Sequence, residues 1–166
     1  MKIVADADIL IKFTKASVKE LITSNFELYL PLEVKKETVD EGKVRSYPDA
    51  LAIDENINTG RLRVVETRRV ETIEKLVNDL NLLGGEADSI RLFKQGSYGA
   101  IASDDSRFID LIDGLGIPYM TPSALLIYLW KTKAISRQET QQSLDKIKEF
   151  ISSEEYLASI EELAKE

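Results

Sequence analysis

The fold of this protein is decided by residues 1–12, which read MKIVADADILIK. The apolar run at residues 3–5 leads directly into Asp6, and Asp8 follows shortly afterwards. A short apolar run of this kind predicts a buried strand, and in a parallel sheet the residues just after a strand lie at the edge where ligands bind. The stretch therefore predicts a first strand that delivers carboxylates to a ligand-binding edge.

Further segments with strand character follow, separated by segments with helical spacing. The predicted strands cover residues 26–30, 61–65, 98–103 and 116–120. Alternation of strands and helices favours a parallel sheet with helices on both faces. We therefore predict an α/β fold, a three-layer α/β/α sandwich with a mainly parallel sheet of about five strands.

The predicted domain organisation is simple. The chain has 166 residues, of which 43% are hydrophobic, and this length suits one domain with its own core. Two capping-box spacings, Ser136 with Glu139 and Ser152 with Glu155, predict C-terminal helices. We expect a single domain over residues 1–166, in which residues 136–166 form a helical extension that packs on the domain or on a partner.

Composition restricts the chemistry and the compartment. The chain contains no Cys and no His, which excludes Cys/His zinc sites, Ser-His-Asp triads, cysteine nucleophiles and histidine bases. A net charge of −7 argues against a protein that binds polyanions through an overall basic surface. No apolar run approaches the roughly 18 residues of a membrane span, and no signal peptide is recognisable. We expect a cytoplasmic protein without a membrane partner.

The acidic residues provide the remaining candidates. A second short apolar segment ends at Asp104 and Asp105 and repeats the design of the first. If the two strands are neighbours where the strand order reverses, Asp6 and Asp105 converge in the ligand crevice, and Glu37 and Asp88 can approach from adjacent helices. Four carboxylates raise one another's pKa unless a cation compensates them. Oxygen ligands alone suit Mg²⁺ or Mn²⁺, and these ions support hydrolysis of phosphate esters.

Over nearly its whole length the sequence resembles the PIN domain, as found in the VapC-like ribonuclease toxins of prokaryotic toxin–antitoxin pairs. The resemblance is carried by residues 3–11, 31–37, 83–92 and 103–108. It implies that the first acid is Asp6 and that the second is Glu37, in a Pro-x-x-Val-x-x-Glu pattern. It also implies that the fourth is Asp105, in a Ser-x-Asp-x-x-Phe pattern. For the third acid Glu86 and Asp88 compete, and the spacing to the fourth acid favours Asp88.

This resemblance implies a set of site residues and partners. The predicted catalytic and metal-binding residues are Asp6, Glu37, Asp88 and Asp105. Residues predicted to support them are Asp8, Glu86, Ser103 and Asp104, and candidate phosphate contacts are Lys12, Arg91 and Arg107. Asp8 stands where Ser, Thr or Asn is usual in the family. The implied activity is cleavage of single-stranded RNA with Mg²⁺ or Mn²⁺, by a homodimer that an antitoxin inhibits near the acidic pocket.

Two alternatives remain open from the sequence. Asp6-Ala7-Asp8 is similar to the Asp-x-Asp motif of haloacid-dehalogenase-like phosphatases, in which Asp6 would be the nucleophile and Asp8 the general acid. That pattern requires Thr or Val at the position of Leu10, and its Ser/Thr and Lys motifs are missing. The other alternative is a non-catalytic PIN-like module that binds RNA or protein.

Overall fold

The computed structural model of the protein describes residues 1–165 and contains a five-stranded sheet. Its strands are β1 (Lys2–Ala5), β2 (Glu27–Pro31), β3 (Leu62–Val65), β4 (Ala100–Ala102) and β5 (Tyr119–Met120). Every pairing is parallel, and the order across the sheet is β3-β2-β1-β4-β5. The predicted parallel α/β sheet is confirmed.

Helices connect the strands and follow the last one. They are α1 (Ala7–Lys15), α2 (Lys19–Asn25), α3 (Leu32–Lys35), α4 (Glu41–Val44), α5 (Pro48–Asn58), α6 (Glu71–Asp79), α7 (Gly84–Gln95), α8 (Ser106–Gly114), α9 (Pro122–Lys131), α10 (Arg137–Ile147) and α11 (Ser153–Ala164). A π-helical turn, Lys36–Asp40, joins α3 to α4, and a 3₁₀ turn, Lys148–Phe150, follows α10. None of the helices in residues 1–165 combines the length and the apolarity that a membrane crossing demands.

The sheet separates two hydrophobic layers. Along β1, Ile3 and Ala5 belong to one apolar cluster and Val4 to the other, because successive strand residues point to opposite faces. The first cluster also contains residues of α1, α2, α5 and α9–α11, and the second contains residues of α6–α8. This arrangement confirms the predicted three-layer sandwich.

The C-terminal helices pack on the core of their own chain. Leu144 and Ile147 of α10 are 0% exposed and Leu163 of α11 is 2% exposed, and all three belong to the first cluster. Ser136 and Glu139 form the predicted capping box at the start of α10. The single-domain boundary at 1–166 stays a prediction, and its last residue lies outside the described ones.

Strand order places the carboxyl ends of β1 and β4 side by side. From β1 the chain moves outward to β2 and β3, then returns to the other side of β1 for β4. Ala5 is in register with Ala102, and the next amide, Asp6 N, donates to Ala102 O at 3.1 Å. The point where the strand order reverses, which is the usual ligand crevice of such sheets, therefore lies between these two strands.

Candidate functional site

Asp6 and Asp105 begin the helices on either side of this crevice. Asp6 caps α1, and its Oδ1 accepts a hydrogen bond from Ile9 N at 2.9 Å. Asp105 caps α8 in the same manner, accepting from Phe108 N at 2.9 Å. Each of the two strands is therefore followed by a carboxylate that caps a helix.

Ser103 connects the two acids. Its side chain is 0% exposed, and its hydroxyl acts to lower the pKa of the Asp6 carboxylate. Its Oγ also accepts from the Asp105 amide at 3.3 Å. These contacts suit the predicted role of a residue that orients the acids.

Acidic side chains line one pocket at the crevice. The polar and charged side chains in its wall are Asp6, Asp8, Glu37, Glu86, Ser103 and Asp105. Its volume is about 160 Å³, enough for several water molecules. The lining contains five carboxylates and no Lys or Arg. A pocket of this composition is suited to a cation.

Glu37 reaches the pocket from the π-helical turn. Its Oε1 accepts a hydrogen bond from Gly85 N at 3.0 Å, which satisfies one of the free amides at the start of α7. A Cβ atom at Gly84 would lie 2.7 Å from Glu37 Oε1, and one at Gly85 would lie 2.8 Å from Oε2. The glycine pair therefore leaves just enough space for the carboxylate.

Burial sets the electrostatics of the two innermost acids. Burial raises the pKa of Asp6 to about 6, although hydrogen bonds from Ser103 and Ile9 act in the opposite direction. Burial also raises the pKa of Glu37, against the hydrogen bond from Gly85. For Asp6 burial also outweighs the attraction of Lys12, and pKa values raised by burial are frequent at functional sites.

Asp88, predicted as the third acid, lies outside the pocket. Its Oδ1 accepts from Thr67 Oγ1 at 3.1 Å and from Arg91 Nη1 at 2.7 Å. Residues two apart on a helix point about 200° away from each other, and in α7 it is Glu86 that lines the pocket. The packing of α7 therefore places Glu86, and not Asp88, with the other acids, and which of the two is the third acid stays a prediction.

The predicted phosphate contacts have different surroundings. Arg91 is only 11% exposed and makes a bidentate ion pair with Glu74 at 2.7 and 3.0 Å. Its guanidinium is therefore engaged inside the fold, and its contact with phosphate stays a prediction. Lys12 forms an ion pair with Asp104, a carboxylate outside the acidic pocket whose side chain is 9% exposed. Arg107 is 74% exposed and lies 3.5 Å from Glu86.

Sequence reasoning misses two parts of this arrangement. The sequence gives Gly84 and Gly85 no evident role, although a Cβ atom at either position would meet the Glu37 carboxylate. Their position directly before an acidic helix is the available signal. Glu74 gives no signal as the partner of Arg91, because the two residues lie on different helices, 17 positions apart.

The donor chemistry of the pocket fits Mg²⁺ or Mn²⁺, which prefer oxygen ligands. Within residues 1–165, no three acidic side chains are close enough together, as they stand, to hold a metal ion. The pocket therefore fits Mg²⁺ or Mn²⁺ in the type and location of its residues. Binding of an ion requires the acidic side chains to rotate towards one another.

Comparison with known proteins gives one family. A family model described as a PIN domain matches residues 2–166. Among curated proteins, no significant match is found. The matched range includes both strand ends, the π-helical turn and the start of α7.

Proposed function

This chain belongs to the PIN-domain family, and from this premise we propose that it is a Mg²⁺- or Mn²⁺-dependent endoribonuclease that hydrolyses single-stranded RNA. PIN domains are generally nucleases, and they typically use divalent metals. The observation that carries the proposal is the acidic pocket between β1 and β4, with five carboxylates and no basic side chain in its wall. The family match favours this function over the phosphatase alternative.

Each acid in the proposed site comes from a different element. Asp6, Glu37, Glu86 and Asp105 would hold the cation, with Asp8 as a further carboxylate at the start of α1. A bound divalent cation offsets negative charge on a phosphodiester and makes water a better nucleophile at neutral pH. Ser103, which accepts from the Asp105 amide and acts to lower the pKa of Asp6, would support these two acids.

Arg107 is the proposed contact to the RNA phosphate. Its side chain is 74% exposed and lies beside Glu86, one of the acids in the pocket wall. An exposed guanidinium can bind phosphate oxygens with two hydrogen bonds. Because its pairing with Glu86 is long, at 3.5 Å, exchange of that partner for a phosphate costs little.

We propose further that the protein acts in the cytoplasm as the homodimeric toxin of a toxin–antitoxin pair. Support comes from the resemblance to VapC-like toxins. The test is whether the neighbouring reading frame encodes a small protein that copurifies with this chain and inhibits its RNA cleavage. A neighbour that neither binds nor inhibits would contradict this part of the proposal.

Cleavage of labelled single-stranded RNA in Mn²⁺, with and without chelator, tests the nuclease activity. We expect cleavage that the chelator abolishes, and we expect Asp6→Asn and Asp105→Asn to reduce it to the chelated level, because each removes a carboxylate charge from the pocket. Asp113→Asn is the matched control, since Asp113 is an exposed acid of α8 outside the pocket.

Thermal melts of all three variants establish that they fold. Cleavage that persists in chelator, or undiminished turnover in both pocket variants, would overturn the proposal. Trapping of a phosphate mimic on Asp6 without any RNA cleavage would instead support the phosphatase.

A further inference from the structure

The Glu37 carboxylate packs against the glycine pair at the start of α7. Gly85 N donates to Glu37 Oε1 at 3.0 Å. A methyl group at Gly84 would lie 2.7 Å from Oε1, and one at Gly85 would lie 2.8 Å from Oε2. Heavy atoms that are not hydrogen-bonded do not approach to these distances, so a side chain at either position displaces the carboxylate.

The beginning of α7 has no other cap in its own sequence. Its N-cap residue is Leu83, which makes no side-chain hydrogen bond to the helix and is 82% exposed. Free amides at a helix start favour a negatively charged acceptor. Glu37, 48 residues earlier in the chain, provides this acceptor.

The segment that carries Glu37 packs closely against α7. Val34, one turn earlier, is 1% exposed, and its Cγ2 would lie 3.0 Å from a Cβ at Gly85. The π-helical turn Lys36–Asp40 continues this segment and carries Glu37. Two successive residues of α7 thus lack side chains at the place where α3 and the π-helical turn approach.

From these contacts we propose that Gly84 and Gly85 are positioning residues for Glu37. They hold its carboxylate at the start of α7, in the wall of the acidic pocket, and a side chain at either position moves it away. The consequence for metal binding rests on the proposed function, in which Glu37 is a ligand. The contact itself does not depend on that function.

Gly85→Ala is the direct test, with Gly114→Ala as the matched control. Gly84 has φ +54, so alanine there is strained for backbone reasons alone, whereas Gly85 has no such restriction. A Cβ added at Gly114, in α8, would meet no atom within 4 Å. Calorimetric titration with Mn²⁺ should show a dissociation constant about 10-fold or more higher for Gly85→Ala and unchanged for Gly114→Ala. Equal affinities of Gly85→Ala and the unmodified protein would overturn the proposal.

A double-mutant cycle in the absence of metal separates the contact from general packing. Gly85→Ala also crowds Val34. The change in melting temperature that it causes is therefore measured in two backgrounds, the unmodified protein and the Glu37→Ala variant, which lacks the carboxylate. We expect Gly85→Ala to lower the melting temperature less in the Glu37→Ala background. Strictly additive effects would refute the positioning role. If the unmodified protein binds no Mn²⁺, the proposed function fails, but the cycle still decides whether the glycines position Glu37.

Discussion

Asp6 shows how a single residue can couple binding to pH. Its carboxyl lies at the end of the buried strand β1, and burial raises its pKa to about 6, above the value near 3.9 of an unfolded chain. A raised folded-state pKa means that the native state favours the protonated acid. The contribution of protonated Asp6 to the stability of the folded state is complete below about pH 4 and is lost as the pH rises through about 6.

The same residue should make metal binding depend on pH. A cation must replace the proton of Asp6, so we expect Mn²⁺ affinity to increase from pH 5 to pH 7 and then to level off. Calorimetric titrations at pH 5, 6, 7 and 8 measure this. In metal-free protein at pH 8, Asp6→Asn should raise the melting temperature, because it removes a buried charge while Asn can still cap α1. Constant Mn²⁺ affinity between pH 5 and pH 7 would contradict this interpretation.

Three of the four predicted acids line the pocket, and the sequence indicates their positions because each follows a strand. Asp6 comes directly after β1, Asp105 comes shortly after β4, and Glu37 lies in the segment after β2. The third acid could not be determined in this way. On α7 the choice between Glu86 and Asp88 depends on the rotation of the helix about its axis, and that rotation is set by packing on α3, α6 and the sheet.

At the scale of elements, α7 presents different chemistry on two sides. Glu86 faces the pocket, whereas Asp88 accepts hydrogen bonds from Thr67 and Arg91. The ion pair of Arg91 with Glu74 connects α7 to α6 and also lowers the pKa of Glu74. One side of the helix is therefore suited to binding and the other to holding the fold together.

Substitutions on the two sides of α7 should affect different properties, metal binding on one side and stability on the other. Glu86→Gln is expected to weaken Mn²⁺ binding and to reduce RNA cleavage with little change in stability. Asp88→Asn is expected to leave Mn²⁺ affinity unchanged and to lower the free energy of unfolding by about 1 kcal/mol, because one charge-assisted hydrogen bond is lost. Titration with Mn²⁺ and urea denaturation of both variants measure these effects. If Asp88→Asn lost Mn²⁺ binding and Glu86→Gln kept it, Asp88 would be the third acid.

The last strand shows where element boundaries escape sequence reasoning. The apolar run at residues 116–120 predicts a strand, but β5 contains only Tyr119 and Met120. Gly116 has φ +65, and Ile117 N donates to Ile112 O at 2.9 Å. The first residues of the run therefore close the end of α8, as in the C-terminal caps that use a left-handed glycine. An apolar pattern alone does not distinguish such a cap from a strand.

At the scale of the whole molecule, the C-terminal helices belong to the structure that supports the site. Glu155 of α11 accepts a hydrogen bond from Ser123 N at 2.9 Å, at the start of α9. Leu125, Leu126 and Leu129 of α9 lie in the same apolar cluster as Leu144 of α10. This cluster also contains Ile3 and Ala5 of β1, the strand that ends at Asp6. Loosening α10 should therefore affect the strand that carries the first acid.

Leu144→Ala, compared with Leu157→Ala, tests whether these helices stabilise their own chain or serve a partner. Leu144 is 0% exposed and Leu157 is 58% exposed. Truncation of the buried leucine should lower the free energy of unfolding by about 2–5 kcal/mol, whereas truncation of the exposed one should change it by about 0.5 kcal/mol or less. Urea denaturation measures both, and light scattering reports the oligomeric state. If Leu144→Ala left stability intact and Leu157→Ala dissociated an oligomer, α10 and α11 would serve an interface instead of the core.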